Sequence, residues 1–263
     1  MRMIITGAAS GIGRAVALNA ATKGNLAAVL CDLSAAALET TAQELRALGA
    51  HVVTRAGDLT VPETSQRLVE SAAQELGGLD AIVSNAGALR GAPLKDLSIE
   101  DFDFQFAIHT RPTWLLGKAA YSLLAKSGGA IVATASISAD HPTPPLGAYA
   151  ASKAALVRLV EQMAIEWGPV GIRCNCVSPG PTLTGMTSRG YADAARRAQR
   201  ESTIPLRRLG TAADIAGAVL FLLGTEAAFI NGINLIVDGG LGRNLMPASG
   251  AGTGQTPPPS TPQ

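Results

Sequence analysis

The sequence predicts an α/β protein: a doubly wound parallel sheet of about seven strands with helices on both faces. Two observations support this: short apolar runs rich in valine, isoleucine and alanine alternate with helical patterns, and the alternation continues along the chain as repeated βαβ units. The predicted strands are Arg2–Thr6, Leu26–Cys31, His51–Ala56, Ala81–Asn85, Ala130–Ala135, Arg173–Ser178 and Ile233–Val237. The predicted helices are Ile12–Lys23, Ala35–Leu48, Glu63–Leu76, Phe102–Ala125, Ala148–Trp167 and Ala212–Leu223. A single domain over residues 1–242 accounts for all of them.

Composition excludes several classes of function. The 263 residues are 47% hydrophobic and carry a net charge of +1, which favours a folded globular protein and gives no electrostatic reason to bind nucleic acid or an anionic membrane. No apolar run approaches the roughly 20 residues that span a bilayer, and no signal peptide is visible, so we expect a cytoplasmic protein. The three cysteines and three histidines show no metal-ligand spacing, so no metal is expected.

A glycine-rich turn joins the first predicted strand to the first helix. Its sequence is TGAASGIG and includes Gly7, Ser10, Gly11, Ile12 and Gly13. Glycines allow a tight turn and a close approach of the backbone to a pyrophosphate, which would meet the free N–H groups and positive dipole end of the helix. The spacing is GxxxGxG rather than the GxGxxG of the commonest dinucleotide fingerprint. In this strand-to-helix context it predicts a dinucleotide site.

The end of the second strand predicts which dinucleotide binds. Asp32 lies 19 positions after Gly13, where a carboxylate accepts hydrogen bonds from a ribose 2′-hydroxyl. The same carboxylate would repel a 2′-phosphate, and the following Leu33 is not the arginine that would attract one. The alternative role of Asp32, capping the next helix, is better filled by Ser34. NAD is therefore favoured over NADP.

Further polar and glycine residues follow other strands. In an open parallel sheet ligands bind outside the carboxyl ends of the strands, so these residues belong to one edge, although each is also ordinary turn chemistry. They are Asp58-Leu59 after the third strand, Asn85-Ala86-Gly87 after the fourth, and Ser178-Pro179-Gly180-Pro181-Thr182-Leu183-Thr184 after the sixth.

A tyrosine and a lysine mark the candidate catalytic site. Tyr149 and Lys153 are four residues apart in a predicted helix and so share one face of it. A cation about 4 Å from a phenolate interacts with it by roughly 4 kcal/mol at an effective dielectric of about 20, which would lower the phenol pKa by up to about three units. Tyr149 would then act as a general acid/base. Ser136, 13 residues earlier and after the fifth strand, can donate to a substrate oxygen.

Together these residues closely resemble the short-chain dehydrogenase/reductases, a family of single-domain Rossmann-type enzymes. The match extends from Thr6 to about Leu241 and ends on Val237-Asp238-Gly239-Gly240. The resemblance implies that Tyr149 is the general acid/base, that Lys153 lowers its pKa and binds the nicotinamide ribose, and that Ser136 orients the substrate. It also implies a cofactor site formed by Gly7, Ser10, Gly11, Ile12, Gly13, Asp32, Asp58, Leu59, Asn85, Ala86, Gly87, Tyr149, Lys153, Val177, Pro179, Gly180, Thr182 and Thr184.

One position departs from the family pattern. The family has an asparagine in the long helix before the fifth strand, where it contributes to a helix distortion whose freed carbonyl holds a water in a proton relay. His109 aligns with that asparagine here. Pro112, which lacks an N–H, leaves the carbonyl of Ile108 without its helical partner and kinks the helix. The hypothesis is that His109 and Pro112 together preserve the relay; the alternative is that His109 is a packed histidine.

The last third of the chain carries two further expectations. Residues 181–210 correspond to a substrate lid in the family and contain six arginines, which either face solvent or attract an anionic substrate. Residues 243–263 are rich in Pro, Gly, Ser and Thr and are expected to be disordered. By analogy with relatives, the helices Phe102–Ala125 and Ala148–Trp167 pair across subunits, which implies a homotetramer or a homodimer.

These observations predict an NAD-dependent oxidoreductase that transfers hydride between a nicotinamide cofactor and a small secondary alcohol or ketone. One alternative is an NADPH-dependent ketoreductase acting on a 3-oxoacyl thioester or a sugar ketone. Another is a protein of the same fold that binds NAD without turnover, because a fold alone does not determine function.

Overall fold

A computed structural model of the protein describes residues 1–185 and 187–244. The strands are β1 (Arg2–Thr6), β2 (Ala27–Asp32), β3 (His51–Ala56), β4 (Ala81–Ser84), β5 (Ala130–Thr134), β6 (Arg173–Pro179), β7 (Thr182–Leu183), β8 (Gly210–Thr211) and β9 (Asn234–Val237). The helices are α1 (Gly11–Thr22), α2 (Ala35–Ala47), α3 (Pro62–Glu75), α4 (Ile99–His109), α5 (Arg111–Ser127), α6 (Tyr149–Trp167), α7 (Ala194–Thr203) and α8 (Ala212–Leu223).

Seven of these strands form one parallel sheet in the order β3-β2-β1-β4-β5-β6-β9. The order reverses between β1 and β4, and in folds of this kind ligands bind at that reversal, outside the carboxyl ends of the strands. The predicted doubly wound fold with about seven strands is therefore confirmed.

The alternation of side chains along the strands divides the core into two layers. Met3 and Ile5 of β1 pack with α1, α2 and α8 on one face of the sheet. Ile4, between them, packs on the other face with residues of α3, α5 and α6. Because both faces are covered, the strands are apolar on both sides, and this is why they appear in the sequence as continuous hydrophobic runs.

The prediction of a single helix over Phe102–Ala125 is wrong, because this segment belongs to two helices, α4 and α5, which meet at Thr110. Pro112 lies in the first turn of α5, where the missing N–H costs nothing because the first N–H groups of a helix have no intrahelical partner. The kink expected from the proline is thus a complete break, and it directly follows His109.

The lid segment, which we define as residues 181–210, is more regular than its sequence predicted. It contains the short strand β7, which pairs with β8, a 3₁₀ turn over Ser188–Tyr191, and the helix α7. Asp193 caps α7 by accepting a hydrogen bond from the backbone N–H of Arg196 at 2.8 Å. No residue of α7 is buried, so the helix has no apolar stripe from which the sequence could have predicted it.

The predicted tail over residues 243–263 falls, from residue 245 onward, outside the described residues, and the domain boundary at residue 242 stays a prediction. Across the described ranges, no helix combines the length and apolarity needed to cross a membrane.

Candidate active site

A cleft of about 500 Å³ opens at the carboxyl ends of the central strands. It collects most of the site residues predicted from sequence. Those that line it are Gly7, Ser10, Gly11, Ile12, Asp32, Asn85, Ala86, Gly87, His109, Ser136, Tyr149, Lys153, Pro179, Gly180, Thr182 and Thr184.

Four predicted cofactor residues do not line the cleft. Gly13 and Val177 are buried behind it, and Leu59 is 4% exposed within the core. Asp58 is exposed, and its carboxylate accepts two hydrogen bonds of 2.8 Å from the backbone and hydroxyl of Thr60. Their cofactor roles stay predictions, and the first three have an evident packing role.

Two glycines of the turn after β1 are required by close backbone contacts. Gly7 has a φ of +65°, and a Cβ there would lie 2.8 Å from the side chain of Asn85. A Cβ on Gly13 would lie 2.3 Å from the carbonyl oxygen of Gly7, well inside van der Waals contact. The start of α1 can therefore approach β1 closely only with glycine at both positions, which leaves its N-terminal N–H groups facing the cleft.

Asp32 closes β2 with its carboxylate at the adenosine end of the predicted site. One oxygen accepts a hydrogen bond from the backbone N–H of Ala9 at 3.0 Å, and the other accepts from Ser34 at 3.3 Å. Ser34 itself caps α2 by accepting from Ala37. The cap is thus made by Ser34, as predicted, and the carboxylate of Asp32 borders the cleft with further acceptor capacity.

Asn85 holds the ends of three strands together. Its side-chain nitrogen donates to the carbonyl of Thr6 at 3.1 Å, and its side-chain oxygen accepts from the hydroxyl of Thr134 at 3.1 Å. The hydroxyl of Thr6 also accepts from the backbone N–H groups of Asn85 and Ala86. The amide of Asn85 therefore has partners of its own and shapes the floor of the cleft by bracing β1, β4 and β5.

Tyr149 and Lys153 occupy the first two turns of α6 and face the cleft together. Lys153 is 5% exposed, and its ammonium donates to the carbonyl of Thr134 at 2.7 Å. The ammonium lies 5.9 Å from the centre of the Tyr149 ring. Burial lowers the pKa of Lys153 to about 8, because a charged ammonium loses hydration in this position.

The lowered pKa predicted for Tyr149 is not found. Burial raises the pKa of Tyr149, and a hydrogen bond with the hydroxyl of Ser136 opposes this only in part. The sequence argument placed a cation about 4 Å from the phenolate, whereas Lys153 is directed to a backbone carbonyl. Loss of hydration therefore decides the direction of the shift in the pKa of Tyr149.

His109 packs against Tyr149. It is 3% exposed, its ring meets the Tyr149 ring edge-on at 5.2 Å between centres, and its Nδ1 is 3.0 Å from the hydroxyl of Ser152. That hydroxyl is also 2.8 Å from the carbonyl of Tyr149. Burial, aided by the charge of Lys153, lowers the pKa of His109 to about 2, so the imidazole is neutral. A titrating imidazole in the relay is not supported by this environment.

Several residues that line the cleft were not predicted individually as site residues. Most come from loops that carry no recognisable motif, whereas Thr134 ends β5 and Arg200 belongs to α7. Pro181 and Arg200 were noted in the sequence only as part of the turn after the sixth strand and of the lid. The full set is Leu89, Thr134, Ala135, Ile137, Ser138, Thr143, Leu146, Pro181, Gly185, Thr187, Tyr191 and Arg200.

The cleft fits a dinucleotide. Its lining offers two features in succession. The glycines that admit no Cβ and the N-terminus of α1 suit a pyrophosphate, and the carboxylate of Asp32 at the end of β2 suits the hydroxyls of a ribose. Among the described residues, no three histidine, cysteine or acidic side chains are grouped closely enough to hold a metal ion.

Comparison with known proteins agrees with this geometry. A family model described as enoyl-(acyl carrier protein) reductase matches residues 7–242. The L-rhamnose 1-dehydrogenase (NAD(P)(+)) of Sphingomonas sp. (strain SKA58) is 35% identical over 246 residues, which cover 93% of this chain and 97% of the relative. The D-threitol dehydrogenase of Mycolicibacterium smegmatis is 39% identical over 240 residues, covering 90% of this chain and 91% of the relative.

Solved structures give the same result. The crystal structure of the acetoin dehydrogenase YohF from Salmonella typhimurium matches with a TM-score of 0.82 and 31% identity, covering 92% of this chain and 96% of that one. Because the family model and these relatives each span about nine-tenths of the chain, the chain belongs to the short-chain dehydrogenase/reductase family of oxidoreductases, as its motifs predicted.

Proposed function

We propose that this protein is an NAD-dependent dehydrogenase that interconverts a small secondary alcohol and its ketone. The observation that carries the proposal is the single cleft in which Ser136, Tyr149 and Lys153 lie beside the glycine-rich turn and Asp32. Relatives whose names denote dehydrogenases of rhamnose and threitol support the same reaction class.

Each catalytic side chain has a distinct part in this reaction. Ser136 donates a hydrogen bond to the substrate oxygen and orients it toward Tyr149. Tyr149 takes the hydroxyl proton in oxidation and returns it in reduction. Lys153, positively charged below pH about 8, favours the phenolate that forms during proton transfer. NAD, when bound, supplies the hydride acceptor and a positively charged ring.

Asp32 is the basis for proposing NAD rather than NADP. Its carboxylate borders the cleft at the end of β2, where it can accept hydrogen bonds from ribose hydroxyls and would repel a phosphate. Among the described residues that line the cleft, the only cationic side chains are Lys153 and Arg200. Lys153 binds the carbonyl of Thr134 at the end of β5, three strands from β2, and Arg200 belongs to the lid segment. The NADPH-dependent ketoreductase is thereby disfavoured.

His109 acts as a positioning residue in this proposal. Its neutral ring packs on Tyr149 and contacts Ser152, whose hydroxyl also reaches the first turn of α6. The break between α4 and α5 directly after it supplies the helix distortion that the family asparagine provides. The ring would therefore hold Tyr149 in orientation without exchanging a proton.

We also propose a homotetramer in which α4, α5 and α6 pair with their copies in neighbouring subunits. The outer faces of these helices expose large apolar side chains: Ile99 is 77% exposed, Ile165 74%, Phe102 43% and Trp114 40%. Exposed apolar residues on neighbouring helices mark a contact surface. Light scattering coupled to size-exclusion chromatography tests this, and a monomer at micromolar concentration would refute it.

The experiment that tests the proposed function is a fluorescence titration with NADH and, separately, with NADPH. The wild type should bind NADH more tightly, and Asp32→Ala should weaken NADH binding about 10- to 100-fold, as expected for loss of hydrogen bonds to a charged group. The control Asp96→Ala removes an exposed carboxylate paired only with Lys95 and should change nothing.

The alternatives give different results. Stronger binding of NADPH would favour the ketoreductase, and no binding of either would refute the proposal. A secondary-alcohol screen with NAD separates an enzyme from a non-catalytic binding protein. Tyr149→Phe should keep NADH affinity and lower kcat by about 100- to 10,000-fold, the usual contribution of a general acid/base.

A further inference from the structure

One arginine of the lid segment lines the catalytic cleft. Arg200 belongs to α7, is exposed, and borders the cleft together with Tyr191 from the preceding turn. The lid is anchored beside β9, the edge strand on the opposite side of the sheet from β2 and Asp32. Ile204 of the lid is 1% exposed, and the backbone N–H of Leu206 donates to the carbonyl of Gly239, just after β9. Arg200 therefore lies on the substrate side of the cleft.

Three neighbouring arginines of the lid are engaged by the protein itself. Arg197 pairs with Glu201 at 3.0 Å, and Arg208 makes two hydrogen bonds of 2.6 and 2.9 Å with Asp214. Arg207 donates to the carbonyl of Ser202. The guanidinium groups of Arg196 and Arg200 meet no acceptor in the part of the chain that the structure describes, and of these two only Arg200 lines the cleft.

The charges around the cleft leave Arg200 as the cation available to a substrate. Lys153 is buried and directed to the carbonyl of Thr134. Asp32, the acidic residue of the described lining, closes β2, and Ser136 follows β5, three strands away in the sheet, which corresponds to about 14 Å. Among the described residues of the lining, Asp32 is the only acidic side chain, so no carboxylate competes with a substrate anion near Tyr191 and Arg200.

We propose that Arg200 binds an anionic group of the substrate, so that the preferred substrates are secondary alcohols or ketones that carry a carboxylate, phosphate or sulfonate. A guanidinium is always charged and presents a planar set of donors that matches such oxyanions, commonly with two parallel hydrogen bonds. This inference rests on the proposed function, since it concerns the substrate of the same site.

The test compares three pairs of secondary alcohols that share a carbinol and differ in charge. They are 3-hydroxybutyrate with its methyl ester, glycerol 1-phosphate with glycerol 1-methyl ether, in which a methoxy group replaces the phosphate, and 2-hydroxypropanesulfonate with its sulfonamide. Turnover with NAD is measured for the wild type, Arg200→Gln and Arg196→Gln. Arg196 is the matched control, because it is an exposed arginine of the same helix that does not line the cleft.

The wild type and Arg196→Gln should prefer the charged member of at least one pair by 10-fold or more in kcat/KM. Arg200→Gln should lose that preference through a rise in KM of about 10- to 100-fold, with kcat and NADH affinity retained. The pair with the largest effect identifies the anion.

Three outcomes would overturn the inference while leaving the proposed function intact: preference for the neutral member of every pair, equal effects of Arg200→Gln and Arg196→Gln, or weakened NADH binding in Arg200→Gln alone, which would assign Arg200 to the cofactor. Turnover of no pair by an enzyme that binds NADH would overturn it as well. Failure to bind NADH would instead refute the proposed function.

Discussion

Replacing Lys153 by methionine should stabilise the fold while abolishing turnover. The lysine is 5% exposed, and burial lowers its pKa from 10.5 to about 8. Each pH unit of such a difference corresponds to about 1.4 kcal/mol, so holding the charged ammonium in the folded protein costs about 3 kcal/mol at pH 7. Methionine avoids this cost and loses the hydrogen bond from the charged ammonium to Thr134, worth about 2 kcal/mol. The net gain expected is about 1 kcal/mol.

The pH dependence gives this prediction its sign. Between pH 8 and 10.5 the unfolded chain keeps the proton on Lys153 and the folded chain releases it, so the stability of the wild type rises with pH across this window. Lys153→Met lacks that rise. The variant should therefore be the more stable one at pH 7, and its advantage should disappear by about pH 10.5.

Urea unfolding at one fixed protein concentration, followed at several pH values, measures both quantities; the concentration is held because oligomer formation alters apparent stability. Lys118→Met is the matched control, since Lys118 is exposed on α5 and its replacement removes no buried charge. If Lys153→Met were no more stable than the wild type at pH 7, or if its stability advantage stayed constant up to pH 10.5, the conclusion that a buried charged lysine destabilises the fold would be wrong.

Three further substitutions test other parts of the structure. Gly13→Ala would place a Cβ 2.3 Å from the carbonyl oxygen of Gly7, so it should lower the free energy of unfolding by about 1 to 3 kcal/mol and abolish NADH binding. The control Gly217→Ala has open space around it in α8 and should stabilise the protein by about 0.5 to 1 kcal/mol. Equal effects of the two substitutions in denaturation would refute the close contact at Gly13. His109→Asn should leave the shape of the pH–rate profile unchanged, because the imidazole with a pKa of about 2 does not titrate during turnover; a shifted limb in kcat/KM would restore a titrating role. Arg173→Gln should lower the free energy of unfolding by about 2 to 3 kcal/mol, because the guanidinium donates to the carbonyls at the end of α8. The control Arg158→Gln removes only an exposed ion pair with Glu161 and should cost less than about 1 kcal/mol, and thermal melts compare the two variants.

Elements with a strong local signal were predictable from the chain alone. The strands bury both faces and so appear as apolar runs, while Gly7 and Asp32 stand at the boundaries of elements, where only certain residue types serve. Helix α7 was missed because it buries nothing, and the break at Thr110 was expected only as a kink. The side chains of α7 face solvent, and the hydroxyl of Thr110 at the break donates to the carbonyl of Ser152, 42 residues away in sequence.

The sequence by itself determined the fold class and the edge of the sheet that carries the site, because these depend on periodicity and on spacing along the chain. The prediction that Ser136, Tyr149 and Lys153 act as one chemical set came from the resemblance of the motifs to the family. Only the tertiary structure decided the electrostatics of that set. It directs Lys153 to Thr134, raises the pKa of Tyr149 and keeps His109 neutral, because these effects depend on burial by segments distant in sequence. The same reason explains why Arg200, one arginine among six in the lid, could be separated from the others only after the chain was folded.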